Sequence, residues 1–462
     1  MHRKTISADG HAGDGPALRR SLGWWHLLAL GVGAIVGTGI YTLVGVGAGL
    51  AGPAVILSFA IAGAICCCAA LAYAEVATMI PASGSAYTYS YVVIGEVVAW
   101  VVGWSLILEY SLVVSAVAVG WSGYATGFLT GIGLPLPAAI AAGPYAGGIV
   151  NLPAVVIVFA VAGLLALGTK ESATVNAALV VVKIVALLLF VVVAARGFDA
   201  ANFTPFMPNG FAGGEANGRP HGVMAAAAII FFAFYGFDAI STAAEEARRP
   251  ERDLAIGIVG SMLVCTALYV GVAAVAVGSM PYTAYADSPE PLALILRSLG
   301  QGSIAGVIGA AAIVALPTVI LAFLYGQSRI FFVMARDGML PGALAKVSAR
   351  TGTPVRVTLA TAAVVAVVAG IMPLDRIAAL ANAGTLVAFV AVSVCLLILR
   401  RREPARPRRF RAPAAWVIGP AAILGCLYLF SSLPGETQGF FLIWNVIGLM
   451  LYVARRRLAA RG

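Results

Sequence analysis

From Trp24 onward the chain alternates long apolar runs with short clusters of charge, Gly and Pro. Runs of about 20 apolar residues match the length a helix needs to cross a bilayer. Twelve helices are predicted, near 24–49, 54–79, 90–125, 148–168, 173–195, 222–246, 255–279, 303–333, 356–373, 376–399, 414–431 and 438–454. No charged residue stands between Glu109 and Lys170, a stretch too long for one crossing. Gly131, Pro135, Pro137, Gly143, Pro144 and Pro153 mark the loop that divides it. The alternating pattern of an outer-membrane barrel does not recur. The expected fold class is an all-α integral membrane protein.

Composition agrees. The 462 residues are 61% hydrophobic and 10% charged, with mean hydropathy +0.98, whereas a soluble domain carries about 25% charged residues. A soluble enzyme, a nucleic-acid binder and a disordered scaffold are excluded together. The 53 glycines suit helices packed closely through small residues. The six cysteines all lie in apolar runs with no zinc spacing, and read as packing residues.

The net charge of +10 is topological. If the predicted spans alternate, 24 of the 29 Lys and Arg fall in the two termini and the loops near 170, 248–254, 329–356 and 400–411, all on one side. Arg196, Arg219, Arg297 and Arg376 lie on the other, and Lys183 lies inside a span. By the positive-inside rule both termini are cytoplasmic, and no nucleic-acid partner is implied. The polar first 23 residues precede an apolar run with no small-residue cleavage site, so the first helix is expected to stay as an anchor. The inner segment 334–355 is expected to hold a short surface helix.

Two spans carry the wrong residues for continuous helix. The first reads Gly31-Val-Gly-Ala-Ile-Val-Gly-Thr-Gly39, and each glycine costs roughly 1 kcal/mol against alanine. Small-residue packing through Gly33 and Gly37 is one explanation. A helix interrupted at mid-membrane, with backbone groups free for a ligand, is the other. A dinucleotide-binding turn is excluded because no strand precedes it. The sixth span shifts the balance, with Gly236 mid-run and Asp238 placed to cap a second half-helix. Glycine-interrupted segments at corresponding positions of two halves point to a transporter binding site.

The ligand class follows from the helix ends. A half-helix starting near Gly37 to Ile40 aims N–H groups and a positive dipole end at an anion. Half-helices ending near Ile35 and at Phe232 to Tyr235 offer carbonyls to a cation. An anion and a cation held side by side describe an α-amino acid zwitterion. Its side chain would meet Phe231, Phe234 and residues of spans three and eight.

Lys183 lies about 12 residues from each flanking charge, roughly 18 Å along a helix and near the midplane. A charge there costs about 3 kcal/mol. A fixed ion pair with a buried carboxylate would explain it. The favoured reading is an amine bonded to backbone carbonyls that releases its proton when they withdraw, so that a proton serves as coupling ion. Glu109 is the deepest acid. It could partner Lys183, hold a cationic substrate side chain or satisfy irregular backbone in span one. Asp238 reads first as a cap and second as a ligand. Glu75, Glu96, Glu245 and Glu246 read as interfacial or gating charges. No histidine lies deep enough for a proton relay.

These motifs resemble the amino acid–polyamine–organocation superfamily and, within it, the cationic amino acid transporter family. The resemblance rests on residues 31–41 (Gly-Val-Gly-Ala-Ile-Val-Gly-Thr-Gly-Ile-Tyr), 81–87, 103–110 (Gly-Trp-Ser-Leu-Ile-Leu-Glu-Tyr), 241–246, 249–258 and 326–329 (Gly-Gln-Ser-Arg), in order from span one to span eight. It implies a five-plus-five inverted repeat, about 24–196 and 222–400, in a ten-helix core. Helices 1 and 6 would be broken at mid-membrane, and access would alternate around an amino acid. Outside this core fall a cytoplasmic tail (1–23), a basic loop (401–413), two further helices (414–454) and a C-terminal tail (455–462). By the same resemblance, backbone at Thr38 and Gly39 would hold the carboxylate, and Gly37, at the start of that half-helix, is counted with them as substrate-binding. Ile35, Phe232, Ala233 and Tyr235 would offer carbonyls to the amine, Lys183 would stand where sodium binds in sodium-coupled relatives, and Glu109 would match the acid of span three. With twelve helices the chain resembles a bacterial-type member of the plasma membrane, where "cationic" does not fix the substrate.

The expected function is proton-coupled symport of L-amino acids, with exchange as the alternative and no cofactor or metal. A membrane-embedded enzyme would need a catalytic set at depth, such as His-Glu-x-x-His, and none is present. A channel would need a continuous polar stripe rather than isolated charges.

Overall fold

The computed structural model describes residues 22–81, 84–166, 173–212, 214–216, 219–242, 244, 247–345 and 355–459. Lys170, Glu245, Glu246, the basic N-terminal tail and part of the 334–355 segment lie outside them. Helix occupies at least part of every predicted apolar run. Eight helical runs are long and apolar enough to cross a membrane. Four others, Trp24–Ile35, Leu152–Ala166, Val355–Ile371 and Ala415–Ser431, are apolar but have 10–17 residues. The chain is a multi-pass helical membrane protein.

The first run is in three pieces: α1 (Trp24–Ile35), α2 (Thr38–Tyr41) and α3 (Leu43–Ala51). A 3-10 turn at Gly52–Ala54 leads into α4 (Val55–Met79). The third run differs from expectation at both ends. A separate helix, α5 (Ser85–Val93), stops before Gly95, whose φ of +138° makes a corner that only glycine adopts easily. Beyond that corner α6 (Glu96–Gly131) continues to the next breaker. A loop containing α7 (Ala138–Ala141) leads to α8 (Leu152–Ala166) and α9 (Ala173–Ala194).

The loop that follows departs from an all-helical fold. Gly214–Ala216 (β1) pairs antiparallel with Arg219–His221 (β2), Gly214 opposite His221. The sixth run is again in pieces: α10 (Val223–Ile230), a 3-10 turn at Phe231–Phe234 and α11 (Phe237–Thr242). Then come α12 (Pro250–Ser279), α13 (Pro291–Ser298) in a loop, and α14 (Gly302–Arg336). The described part of the 334–355 segment holds a 3-10 turn at Gly342–Ala345. The chain closes with α15 (Val355–Ile371), α16 (Leu374–Arg402), α17 (Ala415–Ser431) and α18 (Gly435–Ala459).

Both interrupted runs sit at the centre. Val223–Ser241 is almost wholly buried, while α18 is largely exposed, as suits a helix facing lipid. Around the centre, α6 packs along α14 and α16, and α12 packs along α4 and α1. Indoles hold α18 to this core. Trp104 Nε1 donates to Trp444 O at 2.8 Å, and Trp444 Nε1 returns a bond to Trp104 O at 3.0 Å.

Glu75 does more than the interfacial role expected of it. Fully buried on α4, its carboxylate accepts from Arg400 at 2.6 Å, from Arg408 at 2.9 Å and from the Ala412 N–H at 2.8 Å. One acid thus ties α4, α16 and the approach to α17 together.

Candidate functional site

Two glycines let the interrupted runs cross backbone to backbone. A methyl group at Gly39 would overlap the Ala233 backbone. One at Gly236 would stand 2.6 Å from the Ala34 Cβ and 2.7 Å from its carbonyl carbon. Gly236 also has φ +109°, the left-handed region that favours glycine. Break meets break at both ends of the crossing, so Thr38, Gly39, Ala233 and Tyr235 come together in one buried place.

At the first break α1 ends at Ile35 and Gly37 is extended (φ −147°, ψ −152°). The first bonds of the next turn run from Ile40 N–H and Tyr41 N–H to Gly37 O at 3.3 and 3.4 Å. The N–H groups of Thr38 and Gly39 precede those bonds and stand at the positive end of the turn. On the other side of the gap, the last carbonyls of α1 are taken by side chains. Lys183 Nζ donates to Gly33 O at 2.8 Å and to Thr318 Oγ1 at 3.1 Å. Tyr269 Oη donates to Ile35 O at 2.8 Å. The Ile35 carbonyl therefore already holds one donor, leaving a single lone pair for anything else. Tyr41 and Tyr124 buttress the same region, through Tyr41 Oη to Lys183 O at 3.3 Å and Tyr124 Oη to Tyr41 O at 2.6 Å.

At the second break Asn382 of α16 does the corresponding work. Its Nδ2 donates to Ala228 O at 2.5 Å and Ile229 O at 3.1 Å, and its Oδ1 accepts from Tyr235 Oη. Phe232 O accepts from Tyr235 N–H at 3.4 Å. Asp238 lies in the first turn of α11 rather than at its cap position. It reaches back to accept from Gly236 N–H and Tyr110 Oη, each at 3.2 Å.

Lys183 and Glu109 sit against different elements. Lys183 is fully buried between α1 and α14. Glu109, 1% exposed on α6, lies beside Gly384 of α16 and within electrostatic reach of Asp238 and Tyr235. Its Oε2 has no hydrogen-bond partner among the described residues. The 326–329 motif serves the same helix, since Gln327 Nε2 donates to Ser111 Oγ at 2.5 Å and Ile107 O at 3.2 Å.

Reading from the residues missed Asn382, Thr318 and Tyr269. Their signal was weak but present, because each is a polar group in an otherwise apolar run, and such groups must find partners away from lipid.

The amino acid permease family profile matches residues 22–454. The branched-chain amino acid permease BcaP of Bacillus subtilis is 48% identical over 440 residues, covering 94% of this chain and 93% of its own. The methylthioribose transporter of the same organism is 42% identical over 452 residues, covering 97% and 95%. The vacuolar cationic amino acid transporter 2 of Arabidopsis thaliana is 40% identical over 412 residues, covering 87% of this chain and 63% of its own. These relatives are transporters rather than enzymes, and the match runs through both breaks and every helix around them. The chain belongs to the amino acid permease family of the amino acid–polyamine–organocation superfamily.

Proposed function

We propose that this protein imports a neutral L-amino acid with a small or branched apolar side chain across the plasma membrane, coupled to protons, by alternating access. The observation that carries the reading is the crossing of the two breaks at Gly39–Ala233 and Ala34–Gly236. It sets the N–H groups of Thr38 and Gly39 beside the carbonyl end of the 3-10 turn at Phe231–Phe234. A carboxylate at the first and an ammonium at the second is the pairing of charges that an amino acid backbone brings.

The neutral side chain is supported by what faces the first break. Val319 of α14 is the nearest group across from Gly37, with its Cγ2 3.5 Å from where a Cβ would be. Asp238 is engaged by Gly236 and Tyr110, and Glu109 stands beside α16. The name of one relative, a branched-chain amino acid permease, points the same way; a methylthioribose transporter and a cationic amino acid transporter among the others supply the rival substrates that the test includes.

Lys183 is the proposed proton site. Protonated, it bridges α9, the end of α1 and Thr318; deprotonated, it loses its charge and one of its three donors, so both bonds weaken and that bridge loosens. Glu109 is the second acid available to the coupling path. The frame for this cycle is twelve crossings as a five-plus-five repeat, with α17 and α18 outside it and both termini cytoplasmic. The one-sided distribution of Lys and Arg supports that frame.

The test is uptake by proteoliposomes of individually labelled leucine, isoleucine, valine, arginine, lysine and methylthioribose. Saturable uptake of leucine, isoleucine and valine, with none of arginine or lysine, is expected. Uptake of arginine or lysine without the neutral amino acids would overturn the neutral reading, and uptake of methylthioribose alone would replace the amino acid.

A further inference from the structure

The two broken runs also meet at their inner ends, well away from Lys183 and the crossing. Leu22 and Ala247 form a parallel bridge, and Arg248 N–H donates to Leu22 O at 2.8 Å. The residue entering α1 and the residues following α11 are thereby tied.

Beside this tie lies a cavity of about 350 Å³ lined by Trp24, Trp25, Arg248, Arg249, Arg252 and Asp253. Among the described residues three guanidiniums face one carboxylate there, an excess of positive charge. All three arginines are exposed, and none donates from its side chain to an acceptor among the described residues. Four arginines of the basic stretch 400–411 are engaged instead, while Arg401, Arg409 and Arg411 of that stretch are exposed like these three but do not line this cavity. Arg400 and Arg408 are engaged by Glu75, Arg402 by Val93 O, and Arg406 by Glu403 and Met79 O. Asp253 is buried in the first turn of α12. Glu245 and Glu246 lie outside the described residues.

Two features say what would fill the cavity. Guanidinium groups match the oxygens of a phosphate in paired hydrogen bonds, and the N-termini of α1 and α12 open beside them. Trp24 and Trp25, 46% and 50% exposed, begin the first apolar run. Indoles in that position sit at the level of lipid headgroups.

We propose that this pocket docks the phosphate of an anionic phospholipid headgroup, and that its occupancy holds the inner ends of the two broken runs together. An anionic headgroup gains Coulomb energy from all three arginines at once, and a zwitterionic one loses most of it to its own ammonium. The pocket touches neither break, so this proposal stands whatever the substrate.

The test places the full chain in nanodiscs of phosphatidylcholine with increasing phosphatidylglycerol. Hydrogen exchange at 22–30 and 247–253 and the thermal unfolding midpoint are followed together. Phosphatidylglycerol is expected to slow that exchange and raise the midpoint in the native protein. The fraction needed for half effect should rise roughly fivefold for Arg252→Gln alone, and the response should vanish in Arg248→Gln/Arg249→Gln/Arg252→Gln. A control variant, Arg401→Gln/Arg409→Gln/Arg411→Gln, removes the same charge outside the pocket and should respond like the native protein. Should the triple pocket variant fail to fold, Arg252→Gln against the control decides. Equal responses in pocket and control variants would overturn the site. Protection by inorganic phosphate alone, in discs without phosphatidylglycerol, would overturn the lipid as its occupant.

Discussion

Lys183 Nζ donates to the carbonyl of Gly33 at 2.8 Å, two residues before α1 ends at Ile35. The last carbonyls of any helix lack partners within it. Here two of them receive side chains from other elements, Gly33 from Lys183 on α9 and Ile35 from Tyr269 on α12. The break is therefore tied to the helices on both sides of it, and one of the two ties is the amine proposed above as the proton site. Asn382 closes the second break with a neutral amide. That asymmetry is why the coupling role is proposed for the first break.

Gly39→Ala and Gly236→Ala should both disrupt the crossing. The first drives a methyl group into the Ala233 backbone. The second adds an overlap with Ala34 to a residue at φ +109°. Each is expected to cost about 3 kcal/mol, read as a lower unfolding midpoint and lost uptake. Gly37→Ala is the contrast, because its backbone is extended and its nearest neighbour across the gap is Val319 at 3.5 Å. It should fold normally, and any change should appear in KM for substrate.

Asn382→Ala would leave the Ala228 and Ile229 carbonyls and the Tyr235 hydroxyl without their partner. A buried polar group left unpaired costs about 1–3 kcal/mol. The expected outcome is a destabilised protein with a raised KM, since the 3-10 turn beside these bonds is the proposed carbonyl side of the site. An unchanged KM at unchanged midpoint would separate Asn382 from the site.

Glu75→Ala would leave Arg400 and Arg408 facing each other's charge in a buried place. Removing one member of a buried pair costs about 3–5 kcal/mol. Thermal unfolding should show it, and Glu75→Ala/Arg400→Met/Arg408→Met should recover part of the loss. Uptake per folded molecule should change little, because the clamp joins the ends of α4 and α16 to the approach to α17, with Arg400 about five turns along α16 from Asn382.

Much of this was legible in the residues and some was not. Apolar runs and their Gly and Pro punctuation marked the helices, since both signals act locally. The α5–α6 corner was not visible, because Gly95 reads as one more glycine until its φ of +138° is known. The β1–β2 pair was too short to leave an alternating pattern. At the site, Gly236 and Lys183 stood out as residues costly where they are. Their partners did not. Gly33 offers a carbonyl like any other residue, and Asn382 is one neutral side chain in an alanine-rich run. Which carbonyl meets which donor depends on how four helices cross, and no local pattern encodes that. Glu75 was misjudged for the same reason, as its arginines lie more than three hundred residues away.

The most direct measurement is uptake of the labelled substrate by proteoliposomes, with and without an inward proton gradient, for the native protein and Lys183→Ala. The gradient should drive accumulation in the native protein. The variant should still bind and equilibrate substrate but lose the gradient's drive. If Lys183→Ala continues to accumulate substrate against its concentration gradient, the lysine is a structural tie and the proton path lies elsewhere, with Glu109 the first residue to examine.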